Sequence, residues 1–300
     1  MTQKAAPLDW MLLSTLVVAW GSSFAFGKHA IAHFDASWVM ALRLSVAAIA
    51  LIPYAYVVGE GLSASRRSWT KFLWLAFIGN ALPFFLIAWG MHFISSGVAG
   101  LLMGAIPLFV VVLAHLVLPG ERLTPWKAIG FILGFAGIIV LVGPSSFGDF
   151  ALSGNELVGE AAVLLGCVCY AIHAVTAKLL GVDPPVKQSA AVCLLAAIMG
   201  LALALALAPQ GLQGAPLSAF LAVVALGLFP TALATVIVYR LMARMGPSFI
   251  SVSNYLVPVF AVALGAVIFS EPLNWNILLA LLLILAGIAI SRITPRSSPT

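Results

Sequence analysis

Apolar residues run along this chain in ten long blocks, separated by short polar or turn-rich segments. A helix that crosses a bilayer needs roughly 20 mostly apolar residues, and each block has about that length. The predicted spans lie near Leu8–Gly27, Ser37–Val58, Thr70–Met91, Gly97–Leu118, Pro125–Val142, Leu157–Leu180, Gln188–Ala208, Leu217–Leu241, Ser248–Phe269 and Asn274–Ile293. The pattern therefore predicts an all-α polytopic membrane protein with ten transmembrane helices.

Composition and charge support this class. Hydrophobic residues make up 63% of the chain and charged residues 8%, whereas a soluble domain is about 25% charged. The net charge is +5. If the N-terminus is cytoplasmic, nearly every Lys and Arg falls on the inner side, as the positive-inside rule requires. We therefore expect a multi-pass protein of the plasma (bacterial inner) membrane with both termini cytoplasmic, and no nucleic-acid partner.

The chain repeats itself. The stretch 95–143 recurs at 246–293, and the first span resembles the sixth. The corresponding positions are Pro107 and Pro258, Glu121 and Glu271, Ala136-Gly137 and Ala286-Gly287, Trp20 and Tyr170, and Lys28 and Lys178. Five spans per half is an odd number, so the second half must enter the membrane from the opposite side. This predicts an inverted 5+5 repeat, residues 1–150 and 151–300, around a central cavity.

Four prolines lie in the middle of spans that correspond in the repeat: Pro83, Pro107, Pro230 and Pro258. Each proline removes one helical hydrogen bond and frees the carbonyl four residues before it. Those carbonyls belong to Gly79, Met103, Leu226 and Asn254. Membrane helices also tolerate proline without a functional role. Because the four are related by the repeat, we expect them to be kinks or hinges around the cavity.

Polar and aromatic residues at similar depths are the substrate-binding candidates. They are Trp20, Ser23, Phe24, Asn80, Phe84, Met103, Tyr170, His173, Thr231, Thr235 and Asn254. Aromatic walls would hold an apolar group, while amides, hydroxyls and free carbonyls would hold polar ends. The alternatives are interhelical hydrogen bonds for the two asparagines and ordinary packing for the aromatic residues. His173 could be a ligand or a proton carrier.

Catalytic machinery is not visible. No carboxylate lies mid-span, and no protease, hydrolase or nucleotide-binding motif occurs. The three cysteines are interpreted as packing residues and the five histidines lack metal-ligand spacing, so we expect no catalytic residue, metal or cofactor. Arg43 is interpreted as an anchor that reaches to the outer interface, with a substrate gate as the alternative. Glu121 and Arg122 are interpreted as a local loop structure or a helix cap.

Several motifs resemble a known family, the EamA family of the drug/metabolite transporter superfamily. They are Trp20-Gly21-Ser22-Ser23, Arg43-Leu44, Pro107, Gly120-Glu121-Arg122-Leu123-Thr124, Gly130 and Ala136-Gly137, with Pro258, Glu271-Pro272-Leu273 and Ala286-Gly287 in the second copy. The second copy departs from the family pattern at Pro272, where Arg is usual. The resemblance implies ten spans, cytoplasmic termini and a cavity lined by spans one, three, four, six, eight and nine. It also implies secondary transport, with the aromatic amino-acid exporter branch most similar.

Together these features predict a transporter that exports small metabolites, or facilitates their passage, by alternating access. The expected substrates are neutral or zwitterionic, amino acids above all, whether aromatic or other neutral ones. The expected partners are this substrate and the lipid bilayer, and a monomer is compatible with the pattern. One alternative is a drug transporter. Another is a nucleotide-sugar transporter, which would need basic groups in the cavity for phosphate, and a third is an intramembrane enzyme using His29, His33 and Asp35.

Overall fold

The computed structural model describes residues 5–62, 65–118, 123–142, 155–181, 183–250 and 252–291, and its regular structure within them is helical. The long helices are α1 (Pro7–Ile31), α2 (Ala36–Val57), α3 (Arg66–Gly90), α4 (Ser96–Val117), α5 (Pro125–Val142), α6 (Asn155–Leu180), α7 (Pro185–Leu207), α8 (Leu217–Gly227 continued by Leu228–Leu233 and Ala234–Met245), α9 (Ser253–Phe269) and α10 (Trp275–Ser291). Within these ranges, seven helices are long and apolar enough to cross a membrane, while α5, α9 and α10 are apolar but shorter. The all-α class is confirmed.

Short polar side chains define several helix starts. Asp35 accepts a hydrogen bond from the Ser37 amide at 2.8 Å at the start of α2, and Ser95 accepts one from Val98 at 3.2 Å at the start of α4. Such caps satisfy amides that have no partner within the helix. Each long helix matches one predicted span, with ends that differ by five residues at most.

The largest difference lies at the ninth span, which was predicted to begin at Ser248. A four-residue helix, Pro247–Ile250, comes first, and α9 begins at Ser253. The Ser253 hydroxyl donates to the Ile250 carbonyl at 2.7 Å. This bond satisfies a carbonyl at the end of the short helix, so the chain can break inside an apolar segment without leaving that group unpaired.

Glycines bring α5 and α10 into backbone contact. A β-carbon added to Gly130 would lie 2.4 Å from the Gly287 carbonyl oxygen. One added to Gly137 would lie 3.0 Å from the Ala280 carbonyl oxygen. Since the partner's number falls as the α5 number rises, the two helices run antiparallel.

Two other helix pairs that correspond in the repeat, α2 with α7 and α4 with α9, also pack antiparallel. In α2 and α7, the Trp38 indole donates to the Ala208 carbonyl at 2.7 Å, while Val186 packs against the opposite end of α2. In α4 and α9, Gly97 faces Val262 and Gly104 faces Pro258. Contacts between non-equivalent helices come in matching sets, because α1 packs on α8 and α9 as α6 packs on α3 and α4.

Replacing Gly287 by Val is expected to lower the free energy of unfolding by about 1–3 kcal/mol, because the new side chain would overlap the α5 backbone. Ala289→Val is the matched control, since Ala289 lies on the exposed face of the same helix. Thermal unfolding of both variants in the same detergent tests this. Equal melting temperatures would contradict the close packing.

Candidate functional site: a central cavity

A cavity of about 1250 Å³ lies between the two sets of helices. All eleven substrate-binding candidates line it: Trp20, Ser23 and Phe24 on α1, Asn80 and Phe84 on α3, Met103 on α4, Tyr170 and His173 on α6, Thr231 and Thr235 on α8, and Asn254 on α9. Their role as ligands stays a prediction. The structure brings to one surface residues that are up to 234 positions apart in the sequence (Asn254 minus Trp20).

The prolines coincide with irregular helix turns at the cavity. In α3, Phe77–Ala81 forms a π-helical turn just before Pro83. In α8, Leu228–Leu233 forms a π-helical turn that contains Pro230. A 3₁₀ turn, Met103–Ala105, precedes Pro107. Such turns inside α-helices often mark functional sites. Pro107, Pro230 and Pro258 line the cavity, whereas Pro83 is buried in the helix core. Their action as hinges stays a prediction.

Two of the predicted free carbonyls have found partners. The Thr231 hydroxyl donates to the Leu226 carbonyl at 2.8 Å, spanning the π turn. The Met103 carbonyl accepts a hydrogen bond from the Ile106 amide within the 3₁₀ turn. Local rewinding and a threonine side chain therefore replace bonds that proline removes, as an apolar surrounding requires.

The π turn of α3 makes room for the His173 ring. A β-carbon on Gly79 would lie 2.0 Å from His173 Nδ1, so only glycine fits beside the imidazole. Within the described residues, Nδ1 is buried and has no hydrogen-bond partner. His173 lines the cavity, while its Nδ1 is buried against the α3 backbone and has no partner among the described residues.

Arg43 does not reach to the outer interface, so the anchor interpretation was wrong. Its side chain lines the cavity, and Nε donates to Thr231 Oγ1 at 2.9 Å. The guanidinium carbon lies 3.9 Å from the centre of the Phe84 ring. The aromatic ring and the hydroxyl of α8 hold the cation inward. The cavity therefore has a basic group that the sequence analysis had placed at the outer interface.

Several polar groups on the wall are free of protein partners. In the described part of the chain, the side-chain amides of Asn80 and Asn254 and the hydroxyl of Tyr170 make no hydrogen bond. The interhelical bond considered for the asparagines is therefore absent between described residues. Tyr170 also meets Phe84 edge to face, with ring centres 6.2 Å apart. These groups can bind a ligand or water.

Sequence reasoning missed the contribution of α2 and α7. Beside Arg43, the lining includes Gln188 and Ser189 at the start of α7. The Ser189 hydroxyl lies 2.9 Å from the Tyr239 hydroxyl. The signal was the polar Gln188-Ser189 pair, which opens an otherwise apolar span and would be unusual on a lipid-facing surface.

The cavity extends to one end of the bundle. The lining residues at that end are Thr124, Lys127, Gln188, Ser189, Tyr239 and Ser291. At the opposite end, Lys28 Nζ donates to the Met91 and Ile94 carbonyls at 2.5 and 2.8 Å. These bonds tie α1 to the end of α3.

We call the end of the bundle near Lys28 the closed end. Glu271 joins the two halves there. One carboxylate oxygen accepts hydrogen bonds from the Ser96 amide and hydroxyl at 2.7 and 2.8 Å, and the other accepts one from the Gly97 amide at 2.9 Å. The carboxylate caps the N-terminus of α4, where the helix dipole favours negative charge. Its repeat equivalent, Glu121, lies outside the described residues with Arg122.

Among the described residues, the cavity lining contains no Asp or Glu. The same part of the chain has no group of three or more His, Cys, Asp or Glu that could hold a metal ion. Cys167, Cys169 and Cys193 are free and buried. The wall is thus apolar and aromatic, with a few neutral polar groups and basic side chains.

A profile of the EamA-like transporter family matches residues 9–143 and again residues 157–293. The chain belongs to the EamA-like transporter family. The motif resemblance is confirmed, and so is the expectation that this EamA-like chain is a transporter and not an enzyme, since relatives across the family are named as transporters. It is a multi-pass membrane protein.

Relatives cover nearly the whole EamA-like chain. An uncharacterised transporter of Archaeoglobus fulgidus is 26% identical over 94% of this chain and 97% of its own. The aromatic amino acid exporter YddG of Ancylobacter novellus is 26% identical over 94% and 96%. A probable terminal-alkyne amino-acid exporter of Streptantibioticus cattleyicolor is 28% identical over 89% and 87%.

One solved crystal structure shows the same fold. It superposes with a TM-score of 0.69 and covers 96% of this chain and 98% of its own, at 23% sequence identity. The helix arrangement of this EamA-like protein is therefore one already seen in an experimental structure.

Thr231→Val should lower the free energy of unfolding by about 1–3 kcal/mol, because it leaves the Leu226 carbonyl without its donor and Arg43 Nε without its acceptor. Thr231→Ser keeps the hydroxyl and should recover most of the loss. Thr15→Val is the control, since Thr15 is exposed and only bonds its own helix at Met11. Thermal unfolding in detergent measures all three. A Thr231→Val protein as stable as Thr15→Val would contradict this role.

Proposed function

We propose that this protein exports amino acids, aromatic or other neutral ones, across the membrane by alternating access through the central cavity. The observation that carries the proposal is the set of polar groups without described partners, Asn80, Asn254 and Tyr170, beside aromatic walls. Amides and hydroxyls of this kind suit the polar end of an amino acid, and the rings suit an apolar side chain. Two relatives named as amino-acid exporters support the substrate class.

An inverted repeat accounts for the packing. Equivalent helices, α2 with α7, α4 with α9 and α5 with α10, run antiparallel, as two halves of opposite membrane orientation require. The three shorter helices complete ten spans in this arrangement, with five in residues 1–150 and five in residues 151–300. The distribution of Lys and Arg favours cytoplasmic termini in the bacterial inner membrane. The cavity then opens to the cytoplasm.

Repeat symmetry supports an alternate state. The closed end is held by Lys28 and Glu271, whose equivalents in the sequence repeat are Lys178 and Glu121. An outward-open state would exchange the two ends, while the site between them stays in place. The π turns and prolines of α3 and α8 are the positions where these helices can change direction.

Trp20→Ala and Asn254→Ala should each reduce the transport of labelled phenylalanine by about fivefold or more, because each removes a wall contact or a polar ligand. The measurement is uptake into proteoliposomes that hold equal amounts of folded protein. Trp275→Ala is the matched control, since Trp275 is 82% exposed on the outside of the bundle.

The wild-type panel in the same assay should include neutral amino acids, a nucleotide sugar and a cationic drug. Uptake of every amino acid at the level of empty liposomes would overturn the proposed function. Uptake of the nucleotide sugar alone would reassign the substrate class.

Glu271→Ala should open the closed end, because it removes three charge-assisted hydrogen bonds to the start of α4. A single cysteine at position 23 in a cysteine-free background reports on access to the cavity. We expect labelling by a membrane-impermeant maleimide from the external side to speed up roughly fivefold. Glu156→Ala, an exposed position on α6, should leave the rate unchanged. Equal rates in both variants would contradict the gate.

A further inference from the structure

The guanidinium of Arg43 is a cation without a counterion in the described part of the chain. No described Asp or Glu lines the cavity, and Arg43 makes no ion pair with a described residue. A cation removed from bulk water is costly unless it is paired or hydrated. An anion bound at this point of the cavity would supply the missing counterion of Arg43.

The contacts of Arg43 fix the direction from which an anion can approach. Nε is used by Thr231, and one face of the planar group is covered by Phe84. Within the described residues the Nε atom makes the only protein hydrogen bond of this side chain, so the terminal nitrogens are left for another partner. Paired guanidinium N–H groups match the two oxygens of a carboxylate, which they bind in a bidentate fashion.

The residues beside the terminal nitrogens of Arg43 determine which group attached to the carboxylate would fit. Phe84 and Tyr170 form an edge-to-face pair beside the cation, so an aromatic or branched apolar tail would pack against rings. An ammonium group finds no carboxylate on the described wall and would repel Arg43. Only neutral acceptors, such as the Asn80 amide, remain for it.

We infer that Arg43 is the anchoring residue for a substrate carboxylate, and that the site accepts aryl and branched aliphatic monocarboxylates without an ammonium group at least as well as the corresponding amino acids. This inference rests on the proposed transport through the cavity and extends its substrate class to net anions. The carboxylate supplies the missing charge, and the apolar tail contacts the Phe84–Tyr170 wall.

A ligand series that shares one aromatic skeleton tests the inference in the wild-type protein. The probes are 3-phenylpropanoate, phenylalanine, phenylalaninamide and 2-phenylethylamine, and the readout is the dissociation constant of purified protein in detergent. We expect 3-phenylpropanoate to bind no more weakly than phenylalanine. The two probes without a carboxylate should bind at least about tenfold more weakly than 3-phenylpropanoate. Tighter binding of the amide or amine overturns the inference without any variant.

Variants assign the effect to Arg43. Arg43→Gln should weaken 3-phenylpropanoate by about tenfold or more, and it should not weaken 2-phenylethylamine, because the change removes a like charge. Arg43→Lys, which keeps the charge but loses the planar fork, should lie between. Arg66→Gln, at an exposed cation, is the control. Equal weakening of all probes by Arg43→Gln would mean a structural role and overturn the assignment, and the wild-type series still decides if that variant does not fold.

The two proposals fail in different ways. If proteoliposomes transport amino acids but Arg43→Gln does not change the ligand preference, only the anchor is wrong. If Arg43 governs carboxylate binding but nothing is transported, the proposed export is wrong and the cavity is a binding site. If the wild-type protein neither binds nor transports any probe, both are wrong.

Discussion

A polar group buried in this chain is costly unless it finds a partner inside the protein or in the water of the cavity, because lipid offers none. The hydrogen-bond chain from Arg43 through Thr231 to the Leu226 carbonyl shows how one position meets that demand. Pro230 removes a helical bond, the helix widens into a π turn, and the threonine covers the freed carbonyl. The same hydroxyl then accepts from Arg43, so helix irregularity and cavity charge are parts of one network.

The α5–α10 contact and the cavity wall also differ in their backbone geometry. Where α5 meets α10, glycines allow backbone contact and leave no space between the helices. Around the cavity, α3 and α8 contain π-helical turns, where the backbone is wider than in a regular α-helix. The bundle is thus closely packed at the glycines between α5 and α10, and the cavity lies beside the irregular turns of α3 and α8.

Much of the fold followed from the apolar pattern, because helices in lipid must be continuous and about 20 residues long. Because the repeat places polar residues of both halves at similar depths, Asn80, Tyr170 and Thr231 could be grouped from the sequence, and the structure shows that all three line the cavity. The position of the Arg43 side chain was not predicted. The rule that long basic side chains reach for the interface considers only how far along its span a residue lies. The direction of the Arg43 side chain is set by Phe84 and Thr231, which lie on other helices. The start of α9 at Ser253 was equally hidden, because the bond from the Ser253 hydroxyl to the Ile250 carbonyl leaves no sign in the apolar pattern.

If the protein works by the proposed alternation, the charge of Glu271 links opening of the closed end to hydration. In the observed state, Glu271 satisfies three donors at the start of α4, and those donors in turn satisfy the carboxylate. Separating them exposes an anion and unpaired amides at once, and both must then be hydrated. An opened end is where water enters, so the partners lost by separation are replaced only when the opening is complete. In the proposed alternation, partly opened states, in which the groups are apart but still dry, would therefore be disfavoured, and the exchange between open and closed ends would approach a two-state process.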